Sequence, residues 1–237
     1  MIQKFPLGNI LFLDIETVPI HENFNELDLD YQELWAQKTA YQRKDEFTPE
    51  EFYDRAGIWA EFGKIVCISV GYFVLKSDIR NFRVTSFFGE EDKILRDFSN
   101  LLENHFSGPQ YMLCGHNAKE FDIPYIARRM IIHGISLPEK LNLFGKKPWE
   151  VPHLDTLELW KFGDYKHFTS LKLLTKILGI PSPKGDIDGS QVGHVFHVEK
   201  DIDRIVTYCE KDVIATAQVF LRMRREDLLV DEEILHV

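Results

Sequence analysis

The stretch LFLDIETVPI, Leu11 to Ile20, constrains this chain more than any other. It reads as a strand, apolar on both sides of Asp14, with Glu16 two positions on and Pro19 closing the run. Residues i and i+2 of a strand point to the same face. Two carboxylates therefore stand side by side and repel each other. Either a cation sits between them or one of them keeps its proton.

The surrounding pattern predicts where that strand lies. KIVCISVGYFVL (Lys64 to Leu75) and Ile79 to Phe88 are the next strands, and YMLCGHN (Tyr111 to Asn117) is a short, buried fourth. Between the first two strands lies an insertion, 21–63, rich in acids, aromatics and Gln. It has a helix over Asp30 to Lys44 and a second one opened by Thr48-Pro49-Glu50-Glu51, with Thr48 as N-cap, Pro49 at the first helical position and Glu51 completing a capping box. Further helices are expected over Glu90–His105, Phe121–His133, Thr169–Leu178 and Glu199–Arg225. HLDTLELW supplies a fifth short strand that runs into a helical turn near Asp155. A meander followed by alternating helix and strand implies an α/β fold, a mixed five-stranded sheet with helices on both faces. The whole chain, 1–237, is expected to form one domain.

Two more acids sit at chosen places. Asp122 opens a helix directly after the fourth strand; an N-cap role accounts for it locally, but strand-to-helix corners are also where ligands gather in open α/β sheets. In the last helix, Tyr208 and Asp212 are four apart and share a face beside the apolar stripe Ile202, Val206, Cys209, Val213, Ala217 and Phe220. A Tyr–Asp hydrogen bond that only holds the helix is one reading. Glu210 and Lys211 point elsewhere, toward solvent. Taken together, Asp14, Glu16, Asp122 and Asp212 come from places that can converge at one end of a sheet. Oxygen ligands without His or Cys select hard cations, Mg²⁺ or Mn²⁺. Four acids around two such ions, ~4 Å apart, make a phosphoryl-transfer site.

These motifs resemble those of the DEDD-type 3′–5′ exonucleases, which have a ribonuclease-H-like fold. DIET (Asp14 to Thr17) is similar to the first motif, GHNAKEFD ending in Asp122 to the second, and YCEKD (Tyr208 to Asp212) to the third. The form of the third motif with a His five residues before the last acid is not met, because that position is Thr207; the chain fits the tyrosine branch. It most resembles the exonuclease domain of family B DNA polymerases, especially a stand-alone bacterial subgroup. The KGDIDGSQV loop (Lys184 to Val192) adds to that likeness. The resemblance runs from Asn9 to about Arg225 and leaves the insertion 21–63 unmatched.

The resemblance implies metal-dependent hydrolysis at the 3′ end of single-stranded or frayed DNA, releasing nucleoside 5′-monophosphates. Asp14, Glu16 and Asp212 would hold one Mg²⁺ or Mn²⁺, and Asp14 with Asp122 a second. Tyr208 would orient the attacking water; an unperturbed phenol, with a pKa near ~10, positions rather than deprotonates at neutral pH. Thr17 and Val18 would cradle the terminal nucleotide by backbone contact, and Asn117 and Phe121 would bind or stack on it. Core packing accounts equally for Phe121. With no polymerase domain in the chain, proofreading in cis is not expected. An exoribonuclease or oligoribonuclease is a rival reading, and so is a non-catalytic module that binds a nucleic-acid end.

Charge and composition narrow the surroundings. The net charge of −10 excludes binding of polyanions by bulk attraction, so any cationic contact has to be local. Arg128, Arg129, Lys140, Lys146 and Lys147 form such a region in the sequence, to which Lys161, Lys166 and His167 can add. Three scattered cysteines without a CxxC argue against a disulfide framework or structural zinc and suit a reducing cytoplasm. His194 and His197 are too loosely spaced to be read as a ligand pair. No apolar run approaches the ~18 residues of a membrane helix, so no membrane partner is expected. The insertion is a lid, a substrate guide or a protein-partner surface, and the acidic, apolar C-terminal tail docks on the body or on a partner. Nothing in the pattern sets an oligomeric state.

Overall fold

The computed structural model describes residues 2–44, 46–76, 79–164, 168–181 and 186–237. In chain order, β1 is Ile10–Pro19, α1 Leu29–Arg43, β2 Gly63–Lys76, β3 Ile79–Phe88, α2 Glu91–His105, β4 Met112–Gly115, α3 Asp122–Ile132, β5 Leu154–Asp155 and α4 Thr156–Lys161. Then come α5 Leu171–Ile177, a helical turn α6 Val192–His194 that continues into a π-helical turn Val195–Glu199, α7 Ile202–Arg224 and β6 Ile234–His236. The sheet order is β5-β4-β1-β2-β3-β6. β1, β2 and β3 are antiparallel, while β4 runs parallel to β1, β5 to β4 and β6 to β3. The ribonuclease-H-like arrangement expected from the sequence is present, a mixed sheet covered on both faces with a helical insertion after β1.

Among the described residues the sheet has six strands rather than the expected five. The tail docks on the body: β6 pairs with β3, and Val237 N–H donates to Val84 C=O at 3.0 Å. Arg80 holds it there through a two-pronged bond to Glu233, at 2.9 and 2.8 Å. Three residues of strand suffice because they cover an edge that β3 would otherwise leave unpaired.

Alternation along β1 sorts its side chains into two cores. Leu11, Leu13 and Ile15 pack with Ile94, Leu95, Phe98 and Leu102 of α2 and Ile123, Ile126 and Met130 of α3. Ile10 and Phe12 face Val213, Ala217 and Phe220 of α7, with Phe12 edge-on to Phe73, Phe82 and Phe220. Asp14 and Glu16 continue the second series and so face α7. The close approach of α7 requires Gly71, where a Cβ would lie 2.2 Å from Phe82 Cζ and 2.8 Å from Val213 Cγ1.

The insertion has its own aromatic core around Trp35, with Phe52, Tyr53, Trp59 and Phe62 against its ring. Thr48 and Glu51 do form the reciprocal bonds of a capping box, at 2.8 and 3.2 Å. The box leads into a 3₁₀ turn, Tyr53–Ile58, and not into the expected α-helix. That turn has to bring Gly57 against β1, where a Cβ would meet Val18 C at 3.0 Å and Thr17 O at 3.2 Å. The Tyr125 hydroxyl of α3 donates to Gly57 C=O at 2.8 Å and locks this seat.

A buried junction fixes α3. Arg129 donates to Glu91 (Nε to Oε1 2.8 Å) and to Ala60 C=O at 2.8 Å, and Glu91 also accepts from Ile65 N–H at 2.7 Å. Burial alone would raise the Glu91 carboxyl, but these donors together hold it below its ordinary range. The basic region expected along the sequence is therefore dispersed. Arg129 is consumed by this pair, and the Lys140 ammonium donates to Gly108 C=O and Tyr111 C=O, at 2.8 and 2.9 Å. Arg128, Lys146 and Lys147 remain exposed; Lys166 and His167 lie outside the described residues.

Candidate active site

β4 stops at Gly115, where a Cβ would clash with Ala118 Cβ at 2.4 Å, so the chain can turn sharply away from the sheet. Beyond that point the Ile15 N–H of β1 has no strand partner, and Asp122 takes it: Oδ1 accepts at 3.1 Å. Asp122 is the first residue of α3, not its N-cap. The cap position is Phe121, which makes no side-chain cap bond. The carboxylate therefore serves β1 rather than its own helix, and it stands beside the acid pair. The turn itself is held by Asp155, whose oxygens accept from Asn117 N–H and Lys119 N–H, both at 3.0 Å, while capping α4 at Leu157 and Glu158. Asp155 is thus the turn residue the sequence suggests, and Asn117 adopts φ +68°, a left-handed conformation that Asn tolerates.

From the other side, α7 supplies Tyr208, Cys209 and Asp212. Tyr208 hydrogen-bonds Asp212, as the purely structural reading of that pair requires. Tyr208 also feels Glu16 and Asp14: burial first, then Asp212, Glu16 and Asp14, hold the phenol firmly protonated. All four acids expected from the sequence are brought together. Asp14 is raised well above the ordinary carboxylate range by burial and then by Asp122, Glu16 and Asp212. Glu16, only 7% exposed, is raised by burial and by Asp212. Burial pushes Asp122 up to about 7 against the pull of two backbone N–H groups, and Asp212 up to about 6 against the Tyr208 bond.

No Lys or Arg among the described residues pairs with these carboxylates, and no donor hydrogen-bonds Glu16. Two buried acids, Glu16 and Asp122, and two half-buried ones, Asp14 and Asp212, with no counter-charge among the described residues and a free, inward carboxylate, fit divalent cations held by oxygen ligands. One feature departs from the oxygen-only expectation. Among the described residues, Asp14, Glu16 and Cys209 bring ligand atoms that all lie within 4.8 Å of one another. The Cys209 thiol donates to Asp14 C=O at 3.4 Å and to Asp14 Oδ2 at 3.5 Å. The sequence offered a signal for it, since Cys209 is next to Tyr208 and one turn before Asp212, but its place in the apolar stripe reads as core.

The remaining expected contacts lie around this cluster or apart from it. A bulge in the β1–β2 ladder falls directly after Glu16, between Glu16 and Thr17. Thr17 hydrogen-bonds Tyr125, and the Val18 side chain is fully buried, which leaves its backbone. Phe121 is half-buried against the core with its ring 5.4 Å from Tyr125. His197 is bonded to Pro19 C=O at 2.9 Å and His194 is near Glu199, so the two do not act as a ligand pair. Glu210 is not solvated: it accepts from Ser86 at 2.8 Å and pairs with His236 of the tail at 2.7 Å. Of the KGDIDGSQV loop, Lys184 and Gly185 lie outside the described residues; Ile187 and Val192 are buried beside Cys209. No helix among the described residues is long and apolar enough to cross a membrane.

The fold has a counterpart among solved structures. The chain is similar to the family B DNA polymerase from the hyperthermophilic archaeon Pyrobaculum calidifontis, with a TM-score of 0.56 and 14% identity over 92% of this chain and 24% of that one. E. coli Exonuclease I, solved in complex with an oligonucleotide, is matched with a TM-score of 0.37 and 11% identity over 90% of this chain and 40% of that one. The chain thus spans about a quarter of the polymerase's length. No curated protein matches it. A family model matches residues 58–234, a span that holds Asp122, Tyr208 and Asp212 and begins after Asp14 and Glu16. The chain belongs to that family, the predicted 3′–5′ exonucleases related to the exonuclease domain of PolB.

Proposed function

We propose that the chain is a tyrosine-branch DEDD exonuclease that hydrolyses the terminal phosphodiester at the 3′ end of single-stranded or frayed DNA and releases nucleoside 5′-monophosphates. The observation that carries this reading is the convergence of Asp14, Glu16, Asp122 and Asp212 into one largely buried cluster that no cationic side chain among the described residues balances. A protein that only binds has no use for four carboxylates that destabilise one another.

In this reading Asp14, Glu16 and Asp212 hold one Mg²⁺ or Mn²⁺, and Asp14 with Asp122 holds a second. Bound there, the ions supply an acidified water and compensate charge on the leaving oxygen. The protein's part is preorganisation. Asp122 enters with its orientation fixed by the Ile15 N–H. Tyr208 keeps its proton at any working pH. It therefore serves as a hydrogen-bond donor that orients Asp212 and the attacking water, not as a base. On this reading Asn117, Phe121 and the backbone of Thr17 and Val18 would contact the terminal nucleotide. An acidic chain gains nothing from bulk attraction to DNA, so on this reading the affinity for a 3′ end comes mainly from the ions and these few contacts.

The test uses 5′-labelled single-stranded DNA and the matching RNA, each with Mn²⁺ or Mg²⁺. Asp212→Asn and EDTA serve as controls. The reading expects a ladder that shortens from the 3′ end, faster on DNA and absent in both controls. A faster RNA ladder would transfer the activity to ribonucleotide ends, and no ladder from a folded protein would end the exonuclease reading.

A further inference from the structure

Cys209 has no part in the chemistry of the proposed exonuclease, yet its sulfur joins the acid pair in one set of potential ligand atoms. Its Sγ is 3.5 Å from Asp14 Oδ2, and Sγ, Asp14 and Glu16 ligand atoms lie within 4.8 Å of one another. A tetrahedral zinc has Zn–S near 2.3 Å and Zn–O near 2.1 Å, which sets the sulfur and oxygen ~3.6 Å apart. The observed separation matches without movement of either side chain. Glu16 is the second requirement met: 7% exposed, facing the same point, and without a hydrogen-bond partner among the described residues.

Behind Cys209 stands a support for its sulfur. The Cys67 thiol is hydrogen-bonded to that of Cys209. Cys67 in turn contacts Ser69 Oγ at 3.6 Å, and Ser69 contacts Ser86 Oγ at 2.8 Å. Cys67 can donate to a metal-bound sulfur and keep it oriented, as groups behind metal ligands commonly do.

We propose that Asp14, Glu16 and Cys209 form a site for one thiophilic divalent cation, Zn²⁺ in the cell and Cd²⁺ as its probe, overlapping the hard-cation site of the proposed reaction. Hard Mg²⁺ leaves the thiol protonated and uses oxygen alone, whereas Zn²⁺ takes the sulfur. On binding, the S–H bond is replaced by an S–metal bond, and its proton passes to solvent together with any proton that the two carboxylates hold. A cation so held displaces Mg²⁺ or Mn²⁺ from Asp14 and Glu16, and the enzyme would be silenced by zinc. The inference rests on the acid cluster being a cation site, but its readout does not depend on cleavage.

The experiment is a titration of the folded protein with Cd²⁺, following the ultraviolet thiolate-to-cadmium charge-transfer absorbance, alongside displacement of bound Mn²⁺. The wild type should develop the band to saturation at one Cd²⁺ per chain and release Mn²⁺. Cys209→Ser should lose the band, while Cys114→Ser, altered at a buried thiol that lies in the core with Phe12 and Val213, should keep it. Glu16→Gln retains every thiol and should weaken the Cd²⁺ response at least about tenfold, which decides the matter if Cys209→Ser does not fold. Displacement of Mn²⁺ without a band, or an unchanged band in Cys209→Ser, would overturn the sulfur ligand and leave the oxygen site standing. Failure of both Mn²⁺ and Cd²⁺ to bind would instead remove the cation site itself.

Discussion

Replacing Asp122 with Asn should make the metal-free protein more stable. Asp122 is 4% exposed, and its carboxyl is pushed from 3.8 up to about 7, chiefly by burial. A shift of about three units corresponds to ~4 kcal/mol of penalty on the ionised form. Asn keeps an oxygen to accept the Ile15 N–H and carries no charge. The sign comes from a folded-state value above the unfolded one. Stability from the protonated Asp122 is full below 3.8 and is lost as the pH rises to about 7. The variant suffers no such loss. Its advantage should be near zero at pH ~4, grow steadily to about 7 and stay level above it, near ~4 kcal/mol or roughly 8–16 °C in Tm. Asp14 gains too, since Asp122 is the largest of the charges that raise it. The buried His153, held down to about 4, titrates alike in both proteins and cancels in the difference. The assay is thermal or urea unfolding in EDTA across this pH range. Equal stability of the two proteins at pH ~8 would refute the claim that the cluster is uncompensated.

Other contacts carry outcomes of their own. Arg129→Met leaves Glu91 buried without its main partner and should cost about 3–5 kcal/mol, read as a lower urea midpoint. Gly71→Ala forces a Cβ into Phe82 and Val213 and should lower stability by about 1–3 kcal/mol, with α7 displaced and its amide protection reduced. Tyr208→Phe should slow cleavage by roughly 10–100-fold while Mn²⁺ affinity stays nearly unchanged; a normal rate would remove Tyr208 from the mechanism.

Much of the site was legible because it depends on local periodicity. Asp14 and Glu16 share a face by the two-residue repeat of a strand, and Tyr208 and Asp212 by the turn of a helix; the spacing of Ile94, Leu95, Phe98, Leu101 and Leu102 puts them on one face of α2, and all five meet the core, Leu101 only partly buried. The features that stayed hidden depend on partners far away in sequence. Asp122 looks like a helix cap, yet its bond goes to Ile15, 107 residues earlier. Arg129 looks like part of a basic face until Glu91 claims it. The tail carries too few strand residues to announce β6, which exists because the edge of β3 and Arg80 receive it. Cys209 reads as core because packing and ligation ask the same side chain to point inward, and only the position of β1 tells them apart.

The most direct test of the central claim, that buried acids at the end of β1 are assembled to hold divalent cations, is a measurement of Mn²⁺ binding by the loss of free-ion signal in electron paramagnetic resonance. Wild type, Glu16→Gln and Asp212→Asn would be compared across pH. Binding requires ionised carboxylates, and Asp212 and Asp122 sit at about 6 and about 7. Wild-type affinity should therefore rise as the pH climbs through that window, with each variant roughly tenfold weaker or more. A folded wild type that binds no Mn²⁺ above the window, or variants that bind as tightly as wild type, would contradict the account.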